Sequence, residues 1–304
     1  MKGYLKCLLA TAVLTGSIFG LSGNTVVEAA NGEGGPKLAV LVDGRKVKFK
    51  GGDPVSEKGR VQVPLRGIGE ALNAKIGFSG KTVTYKKDGK SIVLTLGSKS
   101  AEVNGKKVTM DTPAKAVKGR TYVPLRFVSE NLGVPVNWDQ VGNWVWIGSK
   151  EVPDIEDVPA VKKYGLTKSY TDLYGKDTFL LDGKKDVRVF TIDDLPLKID
   201  GFVVYDIWKE TNASNNYPYL QARFTSGAIS VVYLQKGFPA RYRSQANPER
   251  AADKTYIKSY TTWSDTDEIN GGDKTWRSFR IENADYIALN MSGNSLTLMI
   301  NPFK

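Results

Sequence analysis

The sequence predicts an α+β domain built from two strand-strand-helix-strand-strand repeats, followed by a mostly-β, sandwich-like domain. Three observations predict this. One motif recurs in order between Gly59 and Gly119, the basic excess of the chain is concentrated in residues 30–150, and the rest of the chain is a series of short β-prone runs between turn signals.

The chain opens with Lys2 and Lys6, an apolar run over residues 7–21, and small residues at Val27 and Ala29. That order is the pattern of a signal peptide, residues 1–29, cleaved after Ala29. The apolar run is shorter than the roughly 20 residues that a spanning helix needs. Cys7 opens the run, whereas a lipid-attachment cysteine would close it. The expectation is a secreted protein, extracellular or cell-wall associated, with no transmembrane segment in its mature form.

Cys7 is the single cysteine and there is no histidine. Beyond residue 29 the chain therefore holds no disulfide, no Ser-His or Cys-His nucleophile pair and no usual zinc or copper ligand set. Carboxylate acid/base work, Ser-Lys chemistry and oxygen-ligated hard cations are the chemistries left. No catalytic residue, cofactor or metal is assigned, and the protein is read as not an enzyme.

The first repeat carries Val42-Asp43-Gly44-Arg45-Lys46-Val47 and Gly59-Arg60-Val61-Gln62-Val63-Pro64-Leu65-Arg66; the second carries Val103-Asn104-Gly105-Lys106-Lys107-Val108 and Gly119-Arg120-Thr121-Tyr122-Val123-Pro124-Leu125-Arg126. Asp-Gly and Asn-Gly between β-prone runs favour the left-handed dihedrals of a tight hairpin. A short strand then meets proline, whose fixed φ suits a helix start. Leu65, Ile68 and Leu72, like Leu125, Val128 and Leu132, fall on one helical face about three turns long. Gly133 is placed to end the second helix. Strands follow at residues 82–86 and 92–96, and at 136–138 and 144–147.

These paired segments resemble the copper amine oxidase-like N-terminal domain, also called the stalk domain, over about residues 37–150. The resemblance implies an accessory module, found on some oxidases and on many exported proteins, that holds neither copper nor quinone. It does not imply amine oxidation here. The oxidases bind copper through three histidines, and the quinone tyrosine sits in a Thr-x-x-Asn-Tyr setting; Asn216-Tyr217 is the nearest approach, with Ala213 where threonine would stand.

Arg66 and Arg126 occupy the first helical turn of each copy, where a cation is disfavoured by the helix dipole. Their duplication argues for a structural bridge to a carboxylate or to strand carbonyls. Lys46, Lys48, Lys50, Lys86, Lys87, Lys90, Lys106 and Lys107 cluster around the expected hairpins, and alternation puts Lys46, Lys48 and Lys50 on one strand face. Outside a cell, an anionic cell-wall polymer or acidic glycan is the partner such charge would meet. Nucleic acid is not expected. The alternative is a solvated lysine surface that keeps a strand-edged domain soluble.

Residues 151–159, acidic and proline-bearing, read as a linker to the β-rich domain of unknown specificity at 160–304. Strands are expected at 178–181, 187–191, 202–208, 220–224, 229–234, 256–263, 276–281, 286–290 and 295–300, with an Asp182-Gly183 turn and a short helical turn at 248–252. Tyr217 and Tyr219 lie in an Asn-rich loop and are the best glycan contacts, since flat rings pack on the apolar faces of sugars. Asp265, Asp267, Glu268, Asn270 and Asp273 do not space as an EF-hand, with Ile269 at the fifth position, and read as a solvated turn.

The function expected is non-enzymatic attachment or scaffolding at the cell envelope, the basic repeat domain meeting anionic wall polymers. A carbohydrate-binding module in the C-terminal domain and an unrecognised hydrolase stay open as alternatives.

Overall fold

Most regular structure in the computed structural model is β, divided among several sheets, with few helices. The described residues are 34–161, 173–175, 180, 183–214, 216–225, 229–244, 246–289 and 293–304. The expected leader, most of the 178–181 strand and Asp182 lie outside them.

The first motif copy gives β1 (Ala39–Val42), β2 (Arg45–Lys46), β3 (Val55–Glu57), β4 (Arg60–Pro64), α1 (Leu65–Ala71), β5 (Lys75–Ser79), β6 (Thr82–Lys87) and β7 (Lys90–Thr95). The second gives β8 (Ser100–Val103), β9 (Lys106–Thr109), β10 (Lys115–Val117), β11 (Arg120–Pro124), α2 (Leu125–Asn131), β12 (Val136–Asp139) and β13 (Trp144–Ile147). Asp43-Gly44 and Asn104-Gly105 all take positive φ, as their hairpin turns require. Both helices are seven residues long, shorter than the apolar spacing implies. Asn73 (φ 53) and Gly133 (φ 85) stop them, because each turns left-handed one residue past the cap.

The three sheets run β12-β13-β1-β2, β10-β11-β4-β3 and β5-β6-β7-β8-β9. Each contains strands of both copies. The copies meet where β4 and β11 pair antiparallel, Val63 opposite Val123, and β1 pairs parallel with β13. Neither copy can complete its backbone ladders alone. One apolar core, including Val63, Leu65, Ile68, Val123, Leu125 and Val128, lies beneath both helices. β5 was missed in the sequence because Lys-Ile-Gly-Phe-Ser carries little apolar surface; it is an edge strand, mostly exposed.

The second region holds β14 (Ala160–Val161), β15 (Asp186–Phe190), β16 (Leu197–Ile199), β17 (Phe202–Thr211), β18 (Pro218–Phe224), β19 (Val231–Leu234), β20 (Arg241–Arg243), β21 (Ala246–Arg250), β22 (Tyr256–Thr261), α3 (Thr266–Gly271), β23 (Tyr286–Leu289) and β24 (Ser295–Ile300). Two sheets result, β14-β15-β24-β23-β19-β20 and β16-β17-β18-β22-β21. A single buried cluster draws on both, with Phe190, Val231, Leu289 and Met299 from one and Val204, Leu220, Phe224 and Tyr260 from the other.

Two expectations fail here. The helical turn at 248–252 is strand β21, whose ladder on β22 breaks between Ala246 and Glu249, around the proline that has no N–H to give. The strand at 276–281 is a pair of 3₁₀ turns, Trp276–Ser278 and Ile281–Asn283. Their hydrogen-bonding needs are met locally: Ser278 Oγ donates to the Thr275 carbonyl at 2.8 Å, and the Arg280 N–H donates to Asn283 Oδ1 at 2.8 Å.

The expected linker is not a spacer. Ile155 enters the second core, the Lys198 N–H donates to the Pro153 carbonyl at 2.8 Å, and Arg188 donates to the carbonyls of Glu156 and Val158. Residues 33–304 form one compact unit. Leu41, Trp144 and Trp146 cover the outer face of the β1–β13 pair and pack with Tyr205 and Val152. That two-sided burial is why Trp-Val-Trp-Ile is an unbroken apolar run. Across the same junction each part lends the other a cation. Lys46 Nζ lies 3.1 Å from Asp206 Oδ1, and Arg223 Nη1 lies 2.8 Å from Asp139 Oδ2. Among the described residues no helix is long and apolar enough to cross a membrane.

Lys258 is an anomaly of the second core. Only 1 % of it is exposed, its Nζ has no hydrogen-bond partner among the described residues, and it lies over the rings of Phe224 (5.5 Å) and Tyr256 (6.0 Å). Burial pushes its amine below the usual 10.5. Lys258→Met is expected to raise stability by about 1–3 kcal/mol, since an unsatisfied buried polar group is removed. Between the lowered value and 10.5 the unfolded chain binds more protons than the folded one, so the parent's stability rises with pH across that window. The gain from Lys258→Met must then be largest below the window and shrink toward pH 10.5, as urea titrations at several pH values would read. A loss of stability, or a gain that ignores pH, would count against this account.

Candidate functional site

β17 and β18 are antiparallel neighbours joined by an Asn-rich loop. Asn212 organises it: its N–H donates to the Tyr217 carbonyl at 2.9 Å, its carbonyl accepts the Asn216 N–H at 2.8 Å, and its Oδ1 accepts the Ser214 N–H at 2.9 Å. Asn216 takes the left-handed φ of 56° that an asparagine tolerates. This loop holds Tyr217 out at 50 % exposure, and its ring stands edge-on to Trp263 with centroids 4.8 Å apart. Trp263 in turn lies 6.2 Å from Trp276.

Below these rings is a groove of about 460 Å³, lined by Asn212, Tyr217, Tyr219, Ser259, Thr261 and Trp263 together with Pro218 and Thr262. Its floor is the β18–β22 ladder, where Tyr219 faces Thr261. Aromatic faces therefore alternate with hydroxyl and amide groups, and among the described residues no carboxylate lines it. The two tyrosines expected as glycan contacts both line this groove. Trp263, Thr261 and Asn212 were not expected. Trp263 could not be found from sequence, since it was assigned to a strand; the strand ends at Thr261 and leaves Trp263 beyond the sheet.

Buried ion pairs fix the groove from behind. Arg243, 3 % exposed, donates to both oxygens of Asp267 at 2.7 Å and to the carbonyls of Thr261 (3.0 Å) and Thr262 (2.9 Å). It therefore ties the end of β22 to α3. Arg241 Nη2 meets Asp273 Oδ2 at 2.5 Å, and its guanidinium lies 4.3 Å from the Phe279 ring. Burial pulls Arg241 below the usual arginine value, with Asp273 and Asp267 opposing. For Asp273, burial alone would raise the carboxyl, yet the Thr275 hydroxyl and N–H and the Arg241 charge together bring it below the usual range. The expected solvated turn is thus corrected: residues 266–271 are helical, and Asp267 and Asp273 are buried because two arginines neutralise them. Glu268, on the outer side, accepts the Trp276 indole N–H at 2.9 Å.

The lysines fall into two groups. β2 ends at Lys46, so Lys46, Lys48 and Lys50 do not share a strand face. Lys46 is withdrawn into the junction, bound to Asp206 and, at 3.3 Å, to the Ile192 carbonyl, with Trp144 4.8 Å away. Lys48 is exposed, near Asp193 (3.9 Å) and Asp194 (3.8 Å), and Lys50 is exposed. Lys90 donates to the Leu132 carbonyl at 3.3 Å and so caps α2. Lys87 lies 3.6 Å from Asp88. Lys86, Lys106 and Lys107 are exposed at the hairpin end of the five-stranded sheet. Lys75, which sequence reading passed over, sits directly opposite Lys86 on β5. Arg66 and Arg126 are exposed; Arg126 approaches Glu130 of its own helix at 3.9 Å, not a neighbouring strand.

No curated protein matches the chain. In the oxidases that give the family its name, the matching N-terminal domain is a non-catalytic stalk. Residues 41–147 match the family model of the copper amine oxidase N-terminal domain, whereas the remainder of the chain, which holds the aromatic groove, matches no family.

Proposed function

We propose that this is an exported, non-enzymatic binding protein of the cell envelope, in which a stalk-like two-copy module carries a β-sandwich whose groove takes a glycan. The observation that carries the reading is Tyr217 held edge-on against Trp263 at 4.8 Å above a groove of hydroxyl and amide groups. A sugar ring needs that mixture, an apolar face for its C–H surface and donors and acceptors for its hydroxyls. Export rests on the leader pattern of residues 1–29, and the absence of histidine supports binding rather than catalysis.

A second reading is favoured by Lys75 facing Lys86 across β5 and β6. Like charges directly opposite destabilise a ladder, so a polyanion lying along that sheet end would relieve them. Anionic wall polymer on this edge and glycan in the groove are compatible within one attachment protein.

One experiment tests both: retention of the full chain on purified insoluble cell-wall material at low and high salt. Tyr217→Ala/Trp263→Ala is expected to lower retention roughly tenfold or more at either salt, in line with about 0.5–1.5 kcal/mol for each of the two lost aromatic contacts. Lys86→Gln/Lys107→Gln is expected to lower it at low salt only. If neither pair changes retention, the envelope-binding reading is wrong.

A further inference from the structure

Trp263, which lines the groove, also touches an aromatic neighbour outside it. Trp276 continues the aromatic run at 6.2 Å, and the Arg277 guanidinium lies over the Trp276 ring at 4.5 Å. Three rings and one cation are therefore in unbroken contact. Among the described residues Arg277 has no carboxylate partner, although it is exposed beside Trp276. The turn that carries it is fixed: Arg280 Nη1 donates to the carbonyls of Arg277 (3.1 Å) and Phe279 (2.8 Å). Glu268, the acid in contact with Trp276, accepts the indole N–H.

A guanidinium stacked on an indole keeps its plane and loses little further freedom on binding, while its N–H edge remains able to grip a carboxylate with two bonds. Lys274 adds a further exposed cation two residues before Trp276. Building on the glycan reading, we infer that the groove selects a carboxylate-bearing glycan, with its ring faces on Tyr217 and Trp263 and an acid group on Arg277. The charge is complementary at that end alone, since the groove lining itself is neutral.

The test compares oligogalacturonate with its methyl ester, which keeps the ring chain and removes the charge, by calorimetry on the full chain. The acid form is expected to bind roughly tenfold more tightly, about 1.4 kcal/mol, and Arg277→Gln should remove that preference, so that acid and ester bind alike. Arg277→Lys, which keeps the charge without the flat fork, should fall between them. Circular dichroism checks that these exposed substitutions leave the fold intact. Equal binding of acid and ester by the parent protein overturns the acid preference and leaves the glycan reading standing. Loss of both ligands in Arg277→Gln also overturns it, since the arginine would then only shape the groove. Binding of neither ligand by the parent protein overturns both readings.

Discussion

Lys46→Met is expected to cost about 3–5 kcal/mol of stability, the loss found when one member of a buried pair is removed. Asp206 is only 6 % exposed, and Lys46 is its cation. Burial pushes the Asp206 carboxyl above the ordinary carboxylate range, and Lys46 opposes that rise. Methionine fills the volume of the lysine stem but leaves the carboxylate in an apolar junction beside Trp144. Asp206 must then take up a proton more readily in the folded state than in the unfolded chain, so the variant's deficit grows as pH rises from the unfolded aspartate value toward the raised folded one. Replacing both partners, Lys46→Met/Asp206→Leu, should recover most of the loss, because an apolar pair removes the desolvation along with the attraction. Urea unfolding of the three proteins reads all of this. A Lys46→Met effect below about 0.5 kcal/mol, as for an exposed pair, would mean that Lys46 faces solvent and would return it to the lysines available for polyanions.

Asp267→Ala should be comparably severe, again about 3–5 kcal/mol, because it leaves Arg243 and Arg241 buried with a single carboxylate between them. The consequence reaches the groove. Arg243 grips Asp267 with one side and the Thr261 and Thr262 carbonyls with the other, so freeing it loosens the segment that places Trp263. Thermal denaturation should show the lost stability, and near-ultraviolet circular dichroism should show the altered Trp263–Trp276 pair. Asp267→Asn, which keeps one acceptor of the same shape, should be intermediate. Because Asp273 is held below its usual range, the stability it contributes is complete above the unfolded aspartate value and is lost as pH falls through the folded one. An unchanged tryptophan signal and melting temperature in Asp267→Ala would show that neither the arginines nor Trp263 depend on Asp267.

Much of the first module was legible because its signals are local. Asp43-Gly44 and Asn104-Gly105 turn where left-handed dihedrals are cheapest, and Pro64 and Pro124 introduce the helices. What that reading could not supply was the exchange of strands between copies, since β1 finds β13 about a hundred residues away. The lysines group together in the sequence because they flank the expected hairpins; the fold separates Lys46 from Lys86 by giving one of them a buried aspartate. In the second region Tyr217 and Tyr219 were found from an Asn-rich loop, but Trp263 and Arg277 were not, because their relevance depends on which rings come within a few ångströms.

By itself, then, the sequence determined the turns, the apolar faces, the repeat, the want of imidazole and the want of thiol beyond Cys7, all of which are properties of neighbouring residues or of composition. Only the tertiary structure decided which charges are buried and paired, and which aromatic side chains stand together at a surface. Those outcomes rest on contacts between residues far apart in the chain, and on desolvation, whose cost is set by burial that no local pattern records.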